Sequence, residues 1–128
     1  MKVTLPTYYL QTFKTKKDKQ FLVGMNWYRS AHHHQSNNVK HYYHNLVADI
    51  IGDKKFSKIR LKYDVFIARG GTDGHNIRSV IEKFFLDGLV ECGAIEDDAT
   101  PKFITGDNGT DYYMDSDNPR IEITIIEE

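Results

Sequence analysis

The sequence predicts an α+β fold, a mixed β-sheet with two main helices packed on it. Residues 58–68, KIRLKYDVFIA, alternate between apolar and polar side chains, as a half-buried strand does. Two other segments repeat apolar residues at helical spacing, and segments rich in β-branched residues lie near both ends of the chain. A length of 128 residues suits a single domain, residues 1–128. Together these patterns predict one sheet with helices packed on it.

In the first half, KVTLPTYYLQTF is predicted to be a strand that Pro6 interrupts, as is typical of a sheet edge. KTKKDK is a predicted polar turn, and QFLVGMNWYRS a short strand that passes into a loop at Gly24. A helix is predicted from Ser36 until Gly52 stops it. Its apolar positions are Val39, Tyr42, Tyr43, Leu46, Val47, Ile50 and Ile51.

The second half begins with the strand KIRLKYDVFIA, and a second helix is predicted over residues 76–91. The apolar stripe of that helix is Ile77, Val80, Ile81, Phe84, Phe85 and Leu89. GAIEDDATP is a predicted turn, and residues 102–114 form either a hairpin closed at Asn108–Gly109 or one edge strand. The closing RIEITIIE is a strand with its isoleucines facing inward.

Charge divides the chain into two halves. Residues 1–60 hold eleven Lys/Arg against three Asp/Glu (+8), and residues 61–128 hold six against fifteen (−9). Either the first half binds a polyanion, or the halves neutralise each other in the fold. No apolar run approaches the ~20 residues of a membrane span, so no membrane partner is expected. The single cysteine and the polar N-terminal segment predict a cytoplasmic location.

The stretch IARGGTDGHNIRSVIEKFF places Asp73 between a strand end and a helix. Its glycines match neither the Walker spacing nor the dinucleotide-binding fingerprint. Two interpretations of Asp73 remain open. It is either a carboxylate held ready for a metal ion, or an N-cap that accepts backbone N–H groups. Spacing alone does not bring it to Asp97 and Asp98, which follow the helix.

Several of these segments together resemble the RusA family of Holliday junction resolvases of phages and prophages. They are KIRLKYDVFIA, TDGHN, the long helix, GAIEDDA and NPRIEITIIE, with a weaker match at GMNWYRSAH. The resemblance implies a homodimeric endonuclease that resolves four-way DNA junctions in recombination, repair or replication, with Mg²⁺ or Mn²⁺ held by aspartates. By position, Asp73 and Asp98 correspond to metal-binding aspartates and Asn76 to the motif asparagine. Oxygen ligands of this kind suit such hard cations.

The chain departs from the family motif at two positions. His75 replaces the second aspartate, and imidazole suits Mn²⁺ or Zn²⁺ better than Mg²⁺. Ser79 replaces a lysine of the helix. Either His75 joins the metal site and Glu82 or Asp97 is recruited, or the site is weakened or inactive. The alternative function is therefore a RusA-like module that binds DNA or a protein partner without cutting.

The expected DNA-binding residues lie in the basic half. They are Lys14, Lys16, Lys17, Lys19, Asn26, Arg29, His32 and Lys40, which would contact the phosphate backbone. The HHH run at 32–34, with His41 and His44, indicates either a zinc site or a solvated surface that touches DNA.

Overall fold

The computed structural model describes residues 1–128, in which six strands and three helices form the α+β architecture that the sequence predicts. In chain order the elements are β1 (Lys2–Pro6), β2 (Tyr8–Gln11), β3 (Lys19–Leu22), α1 (Met25–Ser30), α2 (His33–Ile51), β4 (Ile59–Ile67), α3 (Gly74–Glu91), β5 (Ile104–Met114) and β6 (Arg120–Glu127).

The main sheet is mixed and has the strand order β1-β6-β4-β5. β6 pairs antiparallel with both β1 and β4, whereas β5 lies parallel to β4. A parallel neighbour requires a crossover, and α3 supplies it. β1 is an edge strand, which confirms the expectation drawn from Pro6. β2 and β3 form a separate two-stranded hairpin.

The core lies between one face of the main sheet and the helices α2 and α3. All six residues of the predicted apolar stripe of α3 are buried, and β4 alternates buried and half-buried positions from Ile59 to Phe66. From β6 the buried side chains are Ile121, Ile123 and Ile125, as predicted. Gly88 lets α3 approach α2 closely, since a Cβ there would lie 3.2 Å from Val47 Cβ. Both main helices that the sequence predicts are present, but Tyr42 and Ile50 of the predicted α2 stripe are exposed.

The opposite face of the sheet is polar and carries ion pairs. Lys62 on β4 binds both Asp64 and Asp111, and Arg120 on β6 binds Asp115 and Glu122 at 2.9 Å each. The Arg120 guanidinium, together with Lys2, holds the pKa of Glu122 below its usual range. Of these pairs, Lys62–Asp111 joins two neighbouring strands, whereas Lys62–Asp64 and Arg120–Glu122 each lie along one strand. Cross-strand pairs of opposite charge contribute to the stability of a sheet.

α1 corrects the prediction of a loop over residues 24–30. Gly24 is the N-cap, and the helix packs Trp27 and Tyr28 against Phe84 of α3. The packing of these half-buried rings outweighs the loop preference of Gly, Asn and Ser in this segment. α2 also begins earlier than predicted, at His33, because the His32 side chain accepts the backbone N–H of His34 as an N-cap.

β5 resolves the two alternatives for residues 102–114 in favour of one edge strand. Asp107 Oδ1 accepts the Gly109 N–H at 2.8 Å, and Gly109 has φ 96°. This turn-like geometry forms an irregularity in the ladder with β4 instead of closing a hairpin, and the strand continues to Met114.

None of the three helices combines the length and the apolar composition that crossing a membrane requires.

Candidate functional site

Asp73 is the N-cap of α3. Its Oδ1 accepts the backbone N–H groups of His75 at 3.1 Å and Asn76 at 3.3 Å. This is the capping interpretation of Asp73, and it explains why the helix begins at Gly74. Oδ2 makes no hydrogen bond within the chain, and the side chain is exposed. The cap therefore leaves one carboxylate oxygen available to a cation or a substrate.

A cleft of about 450 Å³ brings Asp73 together with Asn76 and Asn26. It lies where the start of α1 meets the start of α3, with Thr72 at its rim and Trp27 and Ile77 in its wall. Two segments of the family resemblance, GMNWYRSAH and TDGHN, thus meet in space although almost fifty residues separate them. Carboxylate, amide and hydroxyl oxygens line this cleft, and such oxygens are the ligands of hard cations.

His75 lies on the other side of Asp73, in a neighbouring depression that Tyr112 borders. Gly74 permits the Tyr112 ring to lie against the start of α3, because a Cβ at residue 74 would lie 2.5 Å from that ring. Ser79 donates its hydroxyl to the His75 carbonyl at 2.9 Å, so the position of the family lysine carries no cation. Asp73, Asn76 and His75 are therefore neighbours at the start of α3.

Asp98 does not join them. It lies beyond the other end of the eighteen-residue helix, in the turn before β5, and lines a separate cavity of about 230 Å³. In that cavity Arg78 Nη2 binds Glu82 and Asp107, each at 2.8 Å. Burial would lower the pKa of Arg78, but the Glu82 carboxylate outweighs burial and raises it. Glu82 is thus already paired with Arg78, which it shares with Asp107.

The predicted metal set of Asp73, Asp98 and His75 is not brought together within the chain. The only three His, Cys, Asp or Glu side chains in residues 1–128 whose ligand atoms all lie within 4.8 Å of one another are His32, His33 and His34. The reason is topological: a crossover helix separates the end of β4 from the start of β5, and eighteen helical residues span about 27 Å. Asp97, the other candidate for recruitment, is exposed and accepts the Asp98 N–H at 2.8 Å.

The predicted DNA-binding residues lie on the hairpin and on the helices next to it. Lys14, Lys16, Lys17 and Lys19 are exposed at the hairpin turn, while Asn26, Arg29 and His32 are exposed on α1 and at the start of α2. Lys40 is half-buried on α2. We call the six Lys/Arg side chains of this set the cationic surface; they are Lys14, Lys16, Lys17, Lys19, Arg29 and Lys40. None of its six Lys/Arg side chains forms an ion pair with a carboxylate.

Gln35 joins the three elements that carry this surface. Its side chain accepts a hydrogen bond from Trp27 Nε1 at 2.8 Å and donates one to Gln11 Oε1 at 2.7 Å. The Phe21 ring of the hairpin stacks on Trp27 with a centroid distance of 5.3 Å. Sequence reasoning missed Gln35, because a polar residue in the first turn of a helix carries no signal of a distant partner.

No protein-family model matches the chain, and no curated protein matches it at a significant level.

Proposed function

We propose that the protein binds branched DNA through the cationic surface, and that a four-way junction is its preferred form. The charge of this surface supports binding to a nucleic acid, and the resemblance to RusA resolvases supports a branched form. As a homodimer the protein would present two such surfaces related by two-fold symmetry, which suits the near-symmetric arms of a junction.

The observation that carries the proposal is the concentration of unpaired cations on the hairpin. Four lysines occur within six residues, and Asp18 is the only acid among them. A lysine without a carboxylate partner is free to replace a condensed counterion on DNA, and release of that counterion favours binding. The alternative that the two halves neutralise each other does not apply to this region, since its six Lys/Arg side chains have no acidic partner.

α1 connects the cationic surface to the cleft at Asp73. Arg29 belongs to the cationic surface, and Asn26, on the same short helix, lines the cleft. A DNA strand held by the hairpin lysines can therefore extend toward the open Oδ2 of Asp73. Unless a cation neutralises it, that carboxylate repels a phosphate. Binding and cutting are thus separable properties of this surface.

The test is a titration of the wild-type protein with a fixed four-way junction and with a linear duplex of the same arm sequence. We expect tighter binding to the junction, and a log–log dependence on salt with a slope of about −5, since six cations each release about 0.9 counterion. Absence of binding to either DNA at about 50 mM salt would overturn the proposal. Equal affinity for both DNAs would overturn its branched-DNA part.

The second candidate is metal-dependent cutting of the junction. The proximity of Asp73, Asn76 and Asn26 in one cleft favours it, because these oxygens could hold part of a Mg²⁺ or Mn²⁺ shell. Since Asp98 lies elsewhere in the chain, the second aspartate would come from another copy in a homodimer.

Mixing two variants tests this candidate. Asp73→Asn and Asp98→Asn should each abolish nicking in Mg²⁺ and in Mn²⁺. A mixture of the two should recover nicks in one strand, because a mixed dimer contains one site with both aspartates. Asparagine is as good an N-cap as aspartate, so Asp73→Asn keeps the helix start. Junction binding by the wild type without nicks in either metal would exclude this candidate and leave the binding proposal unchanged.

A further inference from the structure

Three consecutive imidazole rings converge at the start of α2. The ring centroids of His32, His33 and His34 lie 4.1 to 5.1 Å apart, and their ligand nitrogens all fall within 4.8 Å of one another. We propose that these three side chains bind a divalent transition-metal ion of the Zn²⁺ class. Imidazole suits Zn²⁺, Co²⁺ and Ni²⁺, whereas Mg²⁺ prefers oxygen. This site is distinct from the cleft at Asp73.

The position of the His32 ring in the cluster depends on the backbone at His32. In a regular helix, successive side chains point about 100° apart, so the first and the third of three consecutive side chains would point about 200° apart. His32 instead has the extended conformation of an N-cap, with φ −62° and ψ 145°. Its side chain turns back over the first turn, where Nδ1 accepts the His34 N–H at 3.3 Å. The cap therefore brings the His32 ring to those of His33 and His34.

Only a small movement of the three rings is needed to form a coordination shell. Nitrogens bound at about 2.0 Å to one tetrahedral ion lie about 3.3 Å apart. The three side chains are exposed, so their χ angles can close the difference without moving core residues. Three imidazoles leave one tetrahedral position open, and here that position faces solvent, where water or an anionic oxygen can fill it.

Metal binding competes with the cap at His32. Its Nδ1 accepts a hydrogen bond, so the neutral ring carries its proton on Nε2. A metal that takes Nε2 moves this proton to Nδ1, and a metal that takes Nδ1 displaces the His34 N–H directly. Either mode replaces the cap hydrogen bond with a metal–nitrogen bond. The bound ion therefore stabilises the first turn of α2 in place of the cap hydrogen bond.

The test is binding of Co²⁺, followed by its visible absorption, and of Zn²⁺ in competition with a chromophoric chelator, with no DNA present. We expect one ion per chain and no displacement by excess Mg²⁺. His33→Ala should weaken binding by at least tenfold, since even residues that only support a ligand are worth about 10- to 100-fold. The His33 side chain makes no hydrogen bond, so its loss leaves the fold intact.

His41→Ala is the matched control, because His41 is exposed on the same helix but lies outside the cluster. It should bind the ion as the wild type does. Equal affinities for wild type and His33→Ala would overturn the proposal, and so would loss of binding in His41→Ala. A metal-induced dimer with half an ion per chain would show coordination between copies and would also overturn it. The DNA-binding proposal is unaffected by any of these results.

Discussion

Replacing Lys14, Lys16 and Lys17 by glutamine is expected to weaken junction binding by about 10²- to 10³-fold at 0.1 M monovalent salt. Each lysine that contacts a phosphate releases close to one counterion, and release into 0.1 M salt is worth a factor of about eight. The salt dependence should become shallower by about three units in the log–log slope. Both quantities come from the same anisotropy titrations at several salt concentrations.

The charge-matched control is Lys54, Lys55 and Lys58, each replaced by glutamine. These exposed lysines lie between α2 and β4, at the end of α2 far from the hairpin. The nineteen residues of α2 separate the two groups by about 28 Å. The control should lose little affinity and keep its salt slope. Equal weakening by both triple variants would mean that net charge, and not the cationic surface, carries the binding.

Phe84→Ala is expected to lower the free energy of unfolding by about 3–5 kcal/mol. Phe84 is 2% exposed and lies where the three helices meet. Its ring stacks on Tyr43 of α2 at a centroid distance of 5.6 Å and makes edge contacts with Trp27 and Tyr28 of α1. Urea unfolding measures the loss, which is a large share of the roughly 5–15 kcal/mol that holds such a domain folded.

Phe84→Leu keeps most of the volume and should cost less than about 1.5 kcal/mol. It also tests the link to function, since the contacts of Phe84 hold α1, and α1 carries Asn26 and Arg29. Trp27 is the single tryptophan, so a red shift of its emission in Phe84→Leu would report loosening of α1. Lys83→Ala, at an exposed position of α3, should change stability by less than about 0.5 kcal/mol. A loss below about 1 kcal/mol in Phe84→Ala would contradict the central role of this ring.

The separation of Asp73 from Asp98 changes what the family resemblance implies for this chain. A site that used both aspartates would need a second copy, whereas the cationic surface and the cleft at Asp73 are complete within one chain. His75 and Ser79, the two departures from the family motif, lie at the Asp73 end of α3. On the function proposed above, one chain would hold the residues for DNA binding, whereas cutting would require a second copy.

The sequence by itself determined the elements whose pattern is local. The alternation in β4 and β6 and the apolar stripe of α3 identify strand, helix and buried face, because side-chain direction follows from the backbone period alone. The local sequence also predicts that α2 ends at Gly52, as the structure shows. It allowed two roles for Asp73, and the N-cap is the one observed. The segment KTKKDK likewise predicted the polar turn that connects β2 and β3.

Only the tertiary structure decided which distant residues meet. It placed Asn26 beside Asp73, separated Asp98 from both, and paired Arg78 with Glu82 and Asp107. It also made a helix of residues 25–30, since the packing of aromatic rings against α3 outweighs a weak local preference. Spacing along the chain determines on which face of an element a residue lies. Which residue of another element lies opposite that face depends on how all the elements pack together.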